Sequence, residues 1–162
     1  MKILDPTCST KGIWFNKNTP GVISGDIRVE DIQRYRPKRN TFEGIVIHPD
    51  VQMDYTAMPF VNDYFDMVVW DPPFYHSMAT NSWITERYGR LIGDWETNLM
   101  AGFSECFRVL RDEGTLIMKW NTSDKYKGSI SLKKLLSLAP RKPLFGHRGN
   151  NTGTHWLCFI KR

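Results

Sequence analysis

The sequence predicts an α/β fold built on a mostly parallel sheet. Short runs of β-branched and aromatic residues recur along the chain, stretches with polar or helix-spaced residues separate them, and the last two runs are joined by a short turn-rich link. The alternation implies parallel strands, and the closing pair implies an antiparallel finish. At 162 residues the chain is about one domain long, enough to bury roughly two-thirds of the surface of its unfolded form.

Ile3-Leu4 reads as a strand running into the small, polar loop Asp5-Pro6-Thr7-Cys8-Ser9-Thr10-Lys11-Gly12, after which Trp14 and Phe15 open a helix. Val22-Ile23-Ser24-Gly25-Asp26 is a second strand that ends on a carboxylate. The polar stretch from Glu30 to Asn40 is expected to hold one helix stopped by Pro37, and Gly44 to His48 a buried strand. Tyr64 to Trp70 is a strand that must stop at Asp71-Pro72-Pro73, because two prolines cannot continue a central ladder. Apolar residues at Leu99, Met100, Phe103, Phe107 and Leu110 give a helix from about Glu96 to Leu110, closed by Asp112-Glu113-Gly114. Thr115 to Trp120 is a core strand and Ser131 to Leu138 a short helix. Pro143 to Gly146 and Trp156 to Ile160 are the final strands. Such a sheet is expected to be covered on both faces, with its ligand beyond the carboxyl ends of the strands, where the loops after Asp5, Asp26, His48 and Trp70 converge.

Composition narrows the function. No apolar run approaches the roughly 20 residues of a membrane span, and the opening Met1 to Asp5 lacks the layout of a signal peptide. A cytoplasmic protein without membrane contact, monomeric or homodimeric, is expected. Cys8, Cys106 and Cys158 are widely spaced, have no zinc-type spacing with histidine, and read as reduced, buried thiols; no metal is expected. A net charge of +5 favours a polyanionic partner through counterion release, although a mildly basic surface alone accounts for it as well.

The sharpest local signal is Val68-Val69-Trp70-Asp71-Pro72-Pro73-Phe74: a carboxylate, two prolines and an aromatic ring directly after an apolar strand. It forms a rigid ledge with one acceptor side chain and one flat face. On these residues alone, a plain strand-ending turn is the competing reading. The motif resembles that of the amino-methyltransferases, whose Asp/Asn-Pro-Pro-aromatic sequence acts on N6 of adenine or N4 of cytosine. The resemblance implies a catalytic group of Asp71, Pro72, Pro73 and Phe74. The target nitrogen is a poor nucleophile because its lone pair is delocalised into the ring; accepting its two N–H groups at the Asp71 carboxylate and the Pro72 carbonyl would localise that pair. Phe74 would offer a stacking face for a base taken out of its helix.

The resemblance extends over nearly the whole chain. It implies a Rossmann-like class I methyltransferase sheet, mostly parallel, of seven strands with an antiparallel final strand, as in the small bacterial and phage members. Asp5, Pro6, Thr7, Cys8 and Ser9 take the place of the glycine-rich loop around the methionine half of S-adenosylmethionine, with Ser9 and Lys11 standing where the family has glycines. Asp26 takes the place of the carboxylate that receives ribose hydroxyls, Asp54 that of the carboxylate at the adenine amino group, and Tyr55 packs beside the adenine ring. The domain over 1–162 leaves little room for a separate recognition module, so a lid over 75–95 is expected to contact substrate through His76, Trp83, Arg87 and Tyr88, near Arg90 and Trp95.

The leading expectation is therefore N6-adenine methylation of DNA. The same chemistry on structured ribosomal or transfer RNA is the alternative, since a folded RNA supplies its own shape. N4 of cytosine and protein glutamine share the logic of the motif. From a different class comes a non-catalytic binding module whose cofactor loop is altered at Ser9 and Lys11. His48, His147 and His155 read as structural, and no cysteine lies in the Pro-Cys setting of a cytosine-C5 nucleophile.

Overall fold

The computed structural model describes residues 1–36, 40–77, 82–123, 125, 128–148 and 153–162. Its main sheet has seven strands in the order β5-β2-β1-β6-β7-β9-β8. These are β1 (Ile3–Asp5), β2 (Val22–Asp26), β5 (Val51–Gln52), β6 (Phe65–Trp70), β7 (Leu110–Asn121), β8 (Phe145–Arg148) and β9 (Thr154–Ile160). From β5 to β7 every pairing is parallel; β9 runs antiparallel to both β7 and β8. A second sheet is the antiparallel pair β3 (Glu30–Arg36) and β4 (Thr41–Ile47).

Register explains the core. Leu4, Val68, Leu116 and Phe159 are successive partners across four strands and are all fully buried. They face α2 (Trp95–Val109), whose Leu99, Phe103, Cys106 and Phe107 supply the opposing apolar stripe. Asp94 caps this helix by accepting from the Thr97 amide. Removing each large side chain from water contributes roughly 1.5–3 kcal/mol, so this layer dominates the core. Gly102 is required where α2 meets the sheet: a Cβ there would lie 2.7 Å from both the Trp70 and Tyr55 rings. The helix can therefore press directly on Trp70, which meets Phe103 edge to face at 5.0 Å.

The structure departs from the sequence reading at several elements. Among the described residues from Glu30 to Asn40 there is no helix. Asp31, Gln33 and Tyr35 are exposed while Ile32 and Arg34 turn inward, a period of two that a ribbon satisfies and a helix does not. The expected strand at Gly44 to His48 is half of this ribbon, with Val46 exposed between the buried Ile45 and Ile47, and the loop after His48 leads into β5, where Asp50 accepts from Ser24 of β2. Val51–Gln52 occupies that sheet position instead. The segment after the first loop forms turns rather than a helix. Since β1–β2 is joined by turns and β2–β5 by the ribbon, neither link supplies a helix among the described residues; α2 and α3 (Leu132–Leu138) belong to the same apolar layer, while Ile3, Val69 and Cys158 on the opposite face of the sheet are buried as well. At the end of α2, strand β7 begins at once with Leu110, so Asp112-Glu113-Gly114 lies within a strand, with Glu113 at φ 59°. No helix among the described residues is long and apolar enough to cross a membrane.

Candidate active site

The loops after β1, β2, β5 and β6 come together beyond the carboxyl ends of their strands. Pro6, Thr7, Asp26, Ile27, Asp54 and Tyr55 line one cavity of about 460 Å³, roofed by Thr85, Tyr88 and Gly89 and floored in part by Pro73. A smaller cavity of about 100 Å³ is lined by Asp5, Thr7, Cys8, Ser9, Asp71, Arg87, Tyr88 and Lys119. Thr7 and Tyr88 line both. Residues widely separated in sequence and singled out there for cofactor contact thus surround two adjoining spaces.

Positions 9 and 11 take up the backbone form that favours glycine: Ser9 has φ 48° and Lys11 φ 55°. The loop thus keeps a sharp bend without glycine at either position. The Ser9 amide donates to Asp26 Oδ2 at 2.9 Å, and the Ser9 hydroxyl donates to the Arg87 carbonyl. Lys11 lines neither cavity but a separate pocket beside Asp50. Asp5 is fully buried and accepts from Trp14 Nε1 at 2.7 Å and from the Thr7 amide at 3.3 Å. Burial outweighs these donors and pushes its carboxyl up to about 7, with the Asp71 and Asp26 charges adding to the rise. Burial also pushes the Cys8 thiol up to about 12, so it stays protonated and unreactive.

Asp26 is nearly buried and already engaged: Arg28 Nε donates to its Oδ1 at 3.0 Å, and Arg28 Nη2 to its Oδ2 at 3.2 Å. Asp54 is exposed, and its Oδ1 accepts from the amide and hydroxyl of Thr56. Tyr55 packs on Trp70 with ring centres 5.6 Å apart. The loop carrying both is fastened to α2: Glu105 accepts from the Met58 amide at 2.6 Å, and Arg108 donates to the Met58 and Phe60 carbonyls.

Asp71 stands one residue past β6, on the face that also carries Val69 in β6 and Ile117 and Lys119 in β7. Lys119 Nζ therefore reaches Asp71 Oδ2 at 2.6 Å, and the Asp71 amide donates to Thr7 Oγ1 at 3.2 Å. Burial raises the Asp71 carboxyl above its usual range while Lys119 pulls it back. Among the described residues no donor reaches Asp71 Oδ1 or the Pro72 carbonyl. Phe74 is half-buried, packs against the apolar core and meets Tyr75 edge to face at 4.9 Å. Its ring lines neither of the two cavities.

Within the stretch expected as a lid, 78–81 lie outside the described residues. Trp83, Arg87 and Tyr88 share α1 (Trp83–Tyr88), with the Arg87 guanidinium 5.1 Å from the Trp83 ring and 5.6 Å from the Tyr88 ring. His76 is placed apart from them, stacked on Trp95 at 5.8 Å. The end of α1 is tied down: Arg28 Nη1 donates to the Glu86 carbonyl at 2.9 Å, and Arg34 Nη1 to the Glu86 carboxylate at 2.7 Å. Sequence reasoning missed Lys119 and Arg28. Lys119 was recoverable only by fixing the register of β6 against β7. Arg28, two residues past the Asp26 carboxylate, carried a local signal.

No protein-family model matches the sequence, and no curated protein sequence is similar to it. Solved structures are similar in fold. PH0226 from Pyrococcus horikoshii OT3 superposes with a TM-score of 0.63 at 16% identity, over 99% of this chain and 82% of that one. A TehB-like SAM-dependent methyltransferase from Corynebacterium glutamicum gives 0.60 at 13%, over 99% and 80%. The N-methyltransferase NodS from Bradyrhizobium japonicum gives 0.58 at 9%, over 99% and 85%. The chain therefore has the α/β fold of these proteins, a seven-stranded Rossmann-like sheet with one antiparallel strand.

Proposed function

We propose that this chain is an S-adenosylmethionine-dependent methyltransferase acting on an exocyclic amino group, with N6 of adenine in DNA as the substrate. The observation that carries the reading is the adjacency of the Asp71 carboxylate to a cavity walled by Thr7, Asp26, Asp54 and Tyr55. That cavity suits the cofactor. Its volume falls in the usual range for ligand sites of about 300–1,000 Å³, Asp54 offers a carboxylate acceptor for the amino group, Asp26 would receive ribose hydroxyls in place of Arg28, and Tyr55 gives the adenine an aromatic wall. Bound there, the cofactor supplies an electrophilic methyl carbon on a sulfonium.

The remaining chemistry belongs to the chain. Asp71 Oδ1 and the Pro72 carbonyl are acceptors for the two N–H groups of the target, while Lys119 holds the other carboxylate oxygen. Drawing both hydrogens out of the ring plane would localise the nitrogen lone pair toward the sulfonium methyl; transfer would leave a neutral thioether and a positively charged amino nitrogen, whose surplus proton the Asp71 carboxylate is placed to take. The ring systems of Trp83 and Tyr88, with Arg87 between them, support a role for α1 in holding the flipped base. That Ser9 and Lys11 keep the bend of the cofactor loop, with Lys11 directed away from the cavity, favours this reading over a cofactor-free binding module.

Transfer of tritiated methyl groups to separated DNA and RNA tests the proposal. Label is expected in DNA as N6-methyladenine, and Asp71→Ala is expected to lower the rate by about 100- to 1,000-fold, the usual loss of one positioned polar group. Label in RNA alone selects structured RNA as the substrate. Undiminished transfer by Asp71→Ala rejects the mechanism.

A further inference from the structure

Arg28 lines the proposed cofactor cavity and occupies its carboxylate. The Arg28 backbone amide and Nε both donate to Asp26 Oδ1 at 3.0 Å, and Nη2 donates to Asp26 Oδ2 at 3.2 Å. The same guanidinium reaches α1, with Nη1 on the Glu86 carbonyl at 2.9 Å and Nη2 on the Arg87 carbonyl at 3.5 Å. The side chain is 18% exposed, so one planar fork serves a carboxylate and two carbonyls largely out of water. Ser9 repeats the link. Its amide donates to Asp26 Oδ2 and its hydroxyl to the Arg87 carbonyl. Asp26 is thus the post to which the end of α1 is tied.

The position of these ties matters at both cavities. At Asp26, ribose hydroxyls need the carboxylate oxygens that the guanidinium holds, so ligand and Arg28 compete for one pair of acceptors. Asp26 is open to the ribose only in the fraction of molecules whose guanidinium has let go, which lowers the apparent affinity. At Asp71, Arg87 and Tyr88 of α1 wall a cavity of about 100 Å³, well below the roughly 300–1,000 Å³ of ligand sites. A ring bearing the target amino group does not fit there while α1 is down. The end of the helix lies against the proline step and the guanidinium at once: Gly89 has φ 72°, and a Cβ there would stand 3.3 Å from Pro73 Cγ and 3.9 Å from Arg28 Cζ. With 6 residues, α1 depends on such ties for its order.

We infer that Arg28 is a latch between the two cavities: the cofactor ribose, on taking Asp26, frees the guanidinium, loosens α1 and opens the Asp71 cavity to the substrate ring. Cofactor therefore binds first. By linkage, a substrate that holds α1 open favours the cofactor by the same factor. The inference rests on the cofactor reading above and adds to it an order of binding and a residue that enforces it.

Calorimetry with S-adenosylhomocysteine, which carries the same ribose, and tryptic cleavage after Arg87 test it on the full chain. Saturating S-adenosylhomocysteine is expected to speed that cleavage in wild type. Its 2′,3′-dideoxy analogue, also at saturation, is expected to leave the rate unchanged, because nothing displaces Arg28. Arg28→Met is expected to bind S-adenosylhomocysteine about 5- to 150-fold more tightly, the usual span of a coupling between two sites, and to be cleaved fast with or without it. A residue that only supports the fold acts the other way, since its loss weakens the ligand. Cleavage that S-adenosylhomocysteine slows or leaves unchanged, equal effects of the two ligands, or no tighter binding by a folded Arg28→Met overturns the latch and leaves the cofactor reading standing. If wild type does not bind S-adenosylhomocysteine, both fail. The comparison of the two ligands needs no variant, so it decides even where Arg28→Met does not fold.

Discussion

Lys119 and Asp71 make the reaction sensitive to pH in a definite direction. Asp71 accepts an N–H more strongly as the carboxylate than as the acid and can take the released proton only when ionised, and its burial favours the neutral acid. The groups around it are Asp5 from β1, the Cys8 thiol and Ser9 from the following loop, Arg87 and Tyr88 from α1, and Lys119 from β7. Asp5 and Asp71 repel each other's charge, and Lys119 at 2.6 Å is the direct cationic partner of Asp71. In Lys119→Met burial is unopposed, so the Asp71 carboxyl rises further and the acid limb of the pH–rate profile moves to higher pH. A displacement of about one unit, or roughly tenfold less activity on that limb, is expected, with recovery in alkali and rescue by Lys119→Arg. A uniform loss at every pH would mean that Lys119 serves only to support the fold. Asp71 itself was legible in the sequence because a carboxylate followed by two prolines is a local pattern. Lys119 was not, because its meeting with Asp71 depends on which residues of two strands share a face, and a slip of one residue would send it to the other side.

The elements were legible where burial dictated their period. Trp95–Val109 shows its apolar stripe in the sequence, and Phe65–Trp70 is a nearly continuous apolar run ended by prolines. The ribbon was misread because its strands are half exposed and mostly polar. Alternation there rests on Ile32, Ile45 and Ile47, and the many charged residues between them are equally at home on a helix surface. Helix α1 is a third kind of case. At 6 residues it is too short to hold itself together in water, so its order comes from contacts with Arg28, Arg34 and Ser9. Arg28 grips Asp26 and the Glu86 carbonyl with one guanidinium, which links the proposed ribose acceptor to the proposed lid. In Arg28→Met, α1 loses a tie worth about 1.5–3 kcal/mol for a hydrogen bond to a charged group. Amide exchange in α1 is expected to speed up while exchange in α2 is unchanged, and added cofactor should no longer alter it. Unchanged exchange in α1 would show that Arg34 and Ser9 suffice.

On the scale of the whole molecule, the proposed cofactor cavity gathers groups from widely separated parts of the chain. Its walls come from the loops after β1, β2, β5 and β6 and from α1. The links from β1 to β2 and from β2 to β5 hold no helix among the described residues, and β5 is only 2 residues long. This half of the sheet therefore has less packing of its own than the half under α2, and a ligand seated at its strand ends would bind the folded form alone. At about 100 times its dissociation constant such a ligand adds roughly 2.7 kcal/mol to stability. At roughly 2–4 °C per kcal/mol for a chain of this size, S-adenosylmethionine is expected to raise the thermal midpoint by about 5–10 °C. Asp26→Ala, which removes a carboxylate from the cavity wall together with the partner of Arg28, should abolish most of that rise even though its own midpoint starts lower. Scanning calorimetry over a cofactor series measures both. A midpoint that stays fixed up to millimolar cofactor, in a protein that still binds nucleic acid, would show that the fold has been kept for docking without methyl transfer.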